Sequence, residues 1–575
     1  FKEALPAPPI TSMADEESSR PMLHTGEERT SPPTSGILGT YHFKRNAGIC
    51  VFLIASIGLL ASRKMARPPS ADADLLPRAA LRLMEAPNSP QIEIWQSAMN
   101  TGDRLSPKAP GSFVPDFAFQ GIEVEVTDVA EQVIEGFGGA FTESSGLVFR
   151  KLTDTQQRAF LKDYFSTEGL GYVMGRTHIN SCDFSVGSYS FDEVAGDVDL
   201  TAFDTTLSRD LKALIPLIWA AQKVVRAEGR EMKMLASPWS PPAWMKNLVF
   251  NPGAGMDHSS APCLKADMHN VWARYISKWV SSYKAYGIPI WAVTVQNEPE
   301  NNATWEACLL TAEEEAAFVG QHLGPVLQAD HPEVEVFGFD HNKDHVLVYG
   351  RTLLQDEAAS KYLSGIAYHW YAGDGFDQLK QLKAEFPKAK MLPSEATWEA
   401  YRWTPGTKLS QGDWHFGEGY AHDIIGDLNS GAIAWVDWNL ILNETGGPNH
   451  VNNVCDAAMQ VNFSRGEVYH HPQFYYIGHF SKFLTPGSVH LTSYTRRSST
   501  YQGPPRPYGT CTGQDGLQAT AGRTPSGKVV LVVLNCGDAD LEFKLKYAAS
   551  AQKFVIPAHA IQTYRFDADV SKVSM

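Results

Sequence analysis

IWAVTVQNEP, residues 290–299, is an apolar, β-branched run that breaks off in an amide, an acid and a proline. It reads as a buried strand whose informative residues are its last ones. Pro299 disfavours a helical conformation at Glu298 and is expected to hold that residue extended at the strand tip. Seven more runs of this kind surround it: VIEGFGGAF (133–141), GYVMGRTHI (171–179), MKMLASPWS (232–240), VEVFGFD (334–340), GIAYHWY (365–371), AKMLPSE (389–395) and AIAWVDWN (432–439). Between them lie segments with apolar residues at three- and four-residue steps, among them TDTQQRAFLKDYF (153–165), DMHNVWARYISKWVSSYKAY (267–286) and TAEEEAAFVGQHLGPVLQA (311–329). Alternation of this sort implies parallel strands. It predicts an α/β fold, a (β/α)8 TIM barrel over residues 131–455.

Beyond residue 455 the pattern changes to short alternating runs, HLTSYT (490–495), GLQATA (516–521), KVVLVVLN (528–535), LEFKLKY (541–547) and AIQTYRF (560–566), separated by Gly/Pro-rich turns. They predict an antiparallel β-sandwich over 456–568. QIEIWQSA (91–98) and the alternating GIEVEVTDV (121–129) precede the barrel, so residues 91–130 are expected to supply strands to the same sandwich. The side domain would then be built from segments on both sides of the barrel.

Residues 1–46 are rich in Ser, Thr, Pro and Glu and read as a disordered tail. AGICVFLIASIGLLAS (47–62) is uncharged and has basic residues on both sides. Its length falls between a signal-peptide core and a spanning helix, so it is read as a signal or membrane-anchor segment, followed by a linker over 63–90. Either reading sends the rest of the chain into the secretory route, towards a lysosomal or vacuolar lumen or the outside of the cell. Sequons at Asn302, Asn443 and Asn462 are compatible with that route.

With 49 Lys and Arg against 64 Asp and Glu, the 575-residue chain carries a formal charge of -15, which argues against nucleic acid as a partner. The seven cysteines show no CxxC pair and no zinc-like spacing, so no metal is indicated; one or two disulfides fit a secretory compartment, with their connectivity open and Cys182 expected to stay a thiol.

A barrel places its active site at the C-terminal ends of the strands. Those ends supply Arg176, Asp183, Trp239, Asn297, Glu298, Asp340, His369 to Tyr371, Glu395 and Asp437 to Asn439, a concentration of acids, amides and aromatics. Glu298 and Glu395 are about a hundred positions apart in the chain but end strands on opposite sides of the mouth. Two carboxyls facing each other at about 5–5.5 Å are the machinery of glycoside hydrolysis with retention. Glu298 as general acid should then have a raised pKa, and Glu395 as nucleophile should be ionised, with Arg176 favouring the anion. Asn297 is placed to bond a sugar hydroxyl.

EGFGGAFTESSG, SCDFSVGSYSF, LASPWSPPAWMK, WAVTVQNEP, AYHWY, SEAT, DWNLILNETGGPN and FYYIGHFSKFLTPGS occur in this order between residues 91 and 568. In these motifs the chain resembles glycoside hydrolase family 30, and within it the glucosylceramidases. The resemblance implies a barrel with a β-sandwich, retention of anomeric configuration and no cofactor. It implies Glu298 as acid/base and Glu395 as nucleophile, with glucose held by Asp183, Trp239, Asn297, Tyr371, Trp438 and Asn453. It also implies that His369, Trp370 and Tyr371 line the cleft. Gln296 and Thr397 depart from the family pattern, in which Glu and Cys are common at these places.

The expected substrate is glucosylceramide or another β-glucoside, with a membrane surface and an activator protein as partners that the resemblance allows. A β-1,6-glucanase or other family-30 glycan hydrolase is the alternative within the enzyme class. A non-catalytic carbohydrate-binding protein is the alternative outside it.

Overall fold

The structure, a computed structural model, describes residues 91–248, 255–399, 413–499 and 510–569. The expected tail, the apolar segment 47–62 and the linker lie outside the described residues. Among those described, no helix is long and apolar enough to cross a membrane.

Eight parallel strands form the barrel: β1 (Gly136–Phe141), β2 (Met174–Ile179), β3 (Lys233–Pro238), β4 (Ile290–Thr294), β5 (Glu335–Asn342), β6 (Leu363–His369), β7 (Lys390–Glu395) and β8 (Ala434–Asn439). They are hydrogen-bonded in the order β7-β6-β5-β4-β3-β2-β1-β8, and a parallel bridge from Met391 to Ala432 joins the two ends. Nearly every strand residue is buried, since one face fills the barrel and the other is covered by helices. The glycines of EGFGG answer a packing demand. A Cβ on Gly138 would stand 1.9 Å from the Met174 carbonyl oxygen of the neighbouring strand, so any other side chain would push β1 off β2.

The connecting helices begin where the sequence places caps. Helix Asp154–Phe165 starts in a capping box between Thr153 and Gln156, and helix Ala312–Phe318 in one between Thr311 and Glu314. The expected helix over 311–329 is continuous in direction but contains a π turn at Val319–Leu323 before resuming as Gly324–Asp330. Pro325 offers no N–H to a regular ladder, and the wider turn just before it absorbs that loss.

The side domain is one ten-stranded hydrogen-bonded sheet folded on itself. Its order runs Ser106–Ser112, Gln91–Ala98, Ala560–Asp567, Lys528–Asn535, Leu517–Arg523, Val489–Arg496, Ile122–Val133, Leu541–Tyr547, Ser550–Ile556 and Val114–Pro115. Strands far apart in this order meet face to face: Phe543 and Phe554 pack on Tyr564 with ring centroids 5.8 and 4.7 Å apart. That contact makes the sheet a sandwich, and chain from both sides of the barrel builds it. Disulfides join Cys263 to Cys308 and Cys511 to Cys536, and Cys182 is a buried thiol.

Candidate active site

Strand pairing skips one residue at three points around the barrel mouth. Ala367 and Tyr368 pair with Phe339 and His341, leaving Asp340 as the extra residue of β5. Tyr368 and His369 pair with Pro393 and Glu395, leaving Ser394, while Asp437 and Asn439 pair with Gly139 and Ala140, leaving Trp438. A bulge turns side chains out of strict alternation. Here it brings His369, Asp340, Glu395 and Trp438 to the same cavity floor.

Arg176 organises that floor. It is fully buried, and its guanidinium donates to Glu395 Oε2, to Asp340 Oδ2 at 2.8 Å, to Asn297 Oδ1 at 2.8 Å and to Ser237 Oγ at 3.1 Å. It also lies over Trp239 and Trp438, 4.8 and 5.4 Å from the ring centroids, and these two indoles stack on each other at 5.3 Å. A buried cation with this many partners is what makes two buried carboxylates affordable. Burial opposes ionisation of Asp340, but the charges of Arg176 and His369 hold it well below the usual carboxylate range.

Glu395, 8% exposed, accepts from Arg176 on one oxygen and from the Tyr371 hydroxyl on the other, at 2.8 Å. Glu298 accepts from Asn301 Nδ2 at 2.8 Å on Oε2 and faces His369 Nδ1 at 3.4 Å on Oε1. His369 is fully buried and sits between the acids, its Nε2 3.0 Å from Asp340 Oδ1. One oxygen of Glu298, one of Glu395 and a ring nitrogen of His369 all lie within 4.8 Å of one another.

Two expectations for Glu298 are corrected. Strand β4 stops at Thr294, and Glu298 follows in a turn with φ 48, not in extended backbone. The proline restriction excludes the right-handed helical region, and the chain meets it with a left-handed turn. Glu298 N–H to Asp340 O at 3.0 Å and Asn301 N–H to Glu298 O at 2.9 Å hold that turn. Nor is the carboxyl of Glu298 raised. Burial pushes it up, but the hydrogen bond from His369 and the charges of His341 and His369 outweigh burial and bring it down to about 2. The same pairing acts on His369: burial opposes its charge, yet Glu395 and Asp340 raise it to about 9. Glu298 and His369 together thus hold one proton, and in the free protein it resides on the imidazole.

The cavity above this floor measures about 220 Å³, and Asp183, Trp239, Asn297, Glu298, Tyr371, Glu395, Trp438 and Asn453 all line it. Asn453 donates to Asp183 Oδ2 at 2.8 Å, and its own Oδ1 is buried without a protein partner. Burial, with the charge of Glu395, raises Asp183 to about 8, so at neutral pH it is a neutral acid able to donate as well as accept.

The HWY motif divides its work, contrary to the expectation that all three residues line the cleft. Only Tyr371 does. His369 lies beneath the carboxylates. Trp370 turns away, donating to Thr397 O at 3.1 Å and packing edge-on against Trp398 and Tyr420. β6 ends at His369, so Trp370 and Tyr371 follow in a turn and their side chains diverge. Asn301, Trp305, Asn342 and Glu399 also line the cavity and were not singled out in the sequence. Asn301, Trp305 and Glu399 lie past the strand ends, where no periodicity points to them. Gln296 donates from Nε2 to Trp239 O at 2.7 Å, and Thr397 donates to Asp456 O at 2.9 Å, so both departures from the family pattern are accommodated by hydrogen bonds.

Residues 134–484 match the model for the glycosyl hydrolase family 30 TIM-barrel domain, and residues 497–564 that for the glycosyl hydrolase family 30 beta sandwich domain. The lysosomal acid glucosylceramidase of Mus musculus is 32% identical over 75% of this chain and 81% of its own length. Among solved structures, SrfJ from Salmonella typhimurium superposes with a TM-score of 0.73 at 31% identity, over 83% of this chain and 99% of that one. The endo-β1,6-glucanase BT3312 superposes at 0.70 and 25% identity, again over 83% of this chain and 99% of that one.

Proposed function

This chain belongs to glycosyl hydrolase family 30, and from that premise we propose that it is a retaining β-glucosidase in which Glu395 is the nucleophile and Glu298 the acid/base. The observation that carries this reading is the meeting of the two carboxylates within 4.8 Å. Retention needs groups about 5–5.5 Å apart, whereas inversion leaves about 6.5–9.5 Å for a water between them.

In the first step an oxygen of Glu395 bonds to the anomeric carbon while the glycosidic oxygen departs with a proton from Glu298. Tyr371 and Arg176 each hold one oxygen of Glu395 and keep the carboxylate aimed. His369 stores the proton. It passes from Nδ1 to Glu298 Oε1, 3.4 Å away, as the leaving oxygen draws it on. In the second step water attacks the same carbon, the ester to Glu395 breaks, and the water's proton returns through Glu298 to His369. Asp183, Asn453 and Asn297 offer the polar partners a glucose ring requires, with Trp239 and Trp438 forming an apolar wall.

The substrate we propose is glucosylceramide, cleaved to glucose and ceramide at a membrane surface on the lumenal side of the secretory route. The likeness to the mouse lysosomal acid glucosylceramidase supports this, and the two disulfides suit an oxidising compartment. The likeness to an endo-β1,6-glucanase favours a glycan as the second reading. Turnover of glucosylceramide in detergent micelles, compared with that of β-1,6-glucan, tests the choice. Glucose release from the lipid and none from the glucan is expected, and activity on the glucan alone would refute the lipid assignment.

A further inference from the structure

Beside the glycone pocket a second set of side chains converges that the hydrolysis does not use. One carboxylate oxygen of Asp257, one of Glu306 and a ring nitrogen of His450 lie within 4.8 Å of one another. They come from three separate loops: Asp257 between β3 and β4, Glu306 after β4, and His450 after β8.

The set is held in place from outside. His450 Nδ1 donates to Ser185 O at 2.9 Å, which fixes the ring and turns Nε2 towards the carboxylates. Such a bond on the far nitrogen is the usual support of a metal-binding histidine. Lys246 donates to the carbonyls of Met256 and His258, which flank Asp257, at 2.7 and 2.6 Å, and to that of Ala307, which follows Glu306, at 2.9 Å. Backbone bridging between Asp257 and Glu306 and the Cys263–Cys308 disulfide tie the same two loops.

Two atoms of the set, one on Glu306 and one on His450, are buried without a hydrogen bond. Glu306 is 1% exposed; Oε1 accepts from Ser181 and Ser188, at 2.6 and 2.8 Å, but Oε2 has no hydrogen-bond partner. His450 Nε2 stands 3.4 Å from Glu306 Oε1 and is likewise buried without a hydrogen bond. A charge-assisted hydrogen bond would draw these atoms to about 2.7–2.9 Å. Two ligands on a tetrahedral zinc ion, each bonded at about 2.0–2.1 Å, stand about 3.4 Å apart.

We propose that Asp257, Glu306 and His450 bind a divalent transition-metal ion, with Zn²⁺ the best match to one imidazole and two carboxylates. The ion fastens the loops that carry pocket residues, since Ser181 and Ser188 bracket Asp183, Trp305 precedes Glu306, and Asn453 follows His450. It is a structural staple, apart from the carboxylates that cleave the glycoside. Cysteine spacing could not have disclosed it, because none of the ligands is cysteine.

The test uses the full chain, stripped with EDTA and titrated with Zn²⁺ by calorimetry, and with Co²⁺ by visible absorption. One equivalent of Zn²⁺, the intense d–d bands of low-coordinate Co²⁺ and a raised melting temperature are expected. His450→Gln and Glu306→Gln should each weaken binding about tenfold or more, while Glu395→Gln should bind as the parent does. No stoichiometric Zn²⁺ with no Co²⁺ spectrum in the unaltered protein would overturn the proposal and leave an imidazolium–carboxylate salt bridge. Binding that survives both substitutions, or that is lost with Glu395→Gln, would overturn it as well.

Discussion

Tyr371 donates its phenolic hydrogen to Oε1 of Glu395 across 2.8 Å, and the carboxylate's other oxygen is held by Arg176. Both oxygens of Glu395 are thus fixed before any substrate arrives. A hydrogen bond to a charged group contributes about 1.5–3 kcal/mol. Tyr371→Phe should therefore lower kcat/KM about ten- to a hundredfold on an aryl β-glucoside, with the melting temperature nearly unchanged. Unaltered kinetics would remove Tyr371 from the chemistry.

Arg176 is the sole cation reaching both Asp340 and Glu395 through hydrogen bonds among the described residues. Removing one partner of a buried ion pair costs about 3–5 kcal/mol, because the other charge stays buried and uncompensated. Arg176→Met should lose stability of that order in chemical denaturation and lose activity with it. Arg176→Lys, which cannot reach four partners with one ammonium, should recover stability better than activity.

The proton shared by His369 and Glu298 sets a pH dependence. His369 is raised to about 9, so the pair keeps its proton below that pH and gives it up above. Asparagine cannot store a proton. In His369→Asn the alkaline limb of kcat/KM should move acidward by about two units or more, to where Glu298 alone titrates. A pH profile that keeps its alkaline limb would show that Glu298 draws its proton from elsewhere.

Three buried histidines outside the site bear on stability. Burial lowers His471 and His490 to about 4 and His479 to about 3. Unfolded, each titrates near 6.5. Between these values the unfolded chain binds more protons, so the stability they carry is present above about pH 6.5 and is lost as pH falls towards 3. His479 joins helix Pro472–Ser481 to the sandwich through Thr563 Oγ1 at 2.8 Å and Ser97 Oγ at 3.0 Å. His479→Gln should flatten the fall of melting temperature between pH 6.5 and 4, even if it lowers the value at neutral pH.

The barrel was legible because each strand is a run of apolar residues and each helix keeps its period. The two halves of the sandwich could be matched because both alternate. The site was legible where strand ends carry it, as at Trp239 and Glu395, and just past one at Asp183. What stayed hidden depends on pairing between strands. The bulges at Asp340, Ser394 and Trp438 are register events that no single run displays. The left-handed turn at Glu298 likewise depends on a bond to Asp340, more than forty residues away and beyond what Pro299 alone could dictate. The general-acid role misled in the same way. It suggested a raised carboxyl at Glu298, and the histidines that reverse the shift come from β5 and β6.

The assignment of Glu395 as nucleophile is tested most directly by trapping the covalent intermediate. A mechanism-based cyclitol epoxide incubated with the full chain, followed by digestion and peptide mapping, reports which side chain bonds to the anomeric carbon. The label is expected on Glu395, in the peptide containing MLPSEAT (391–397). A label on Glu298 or on any other residue would contradict the account.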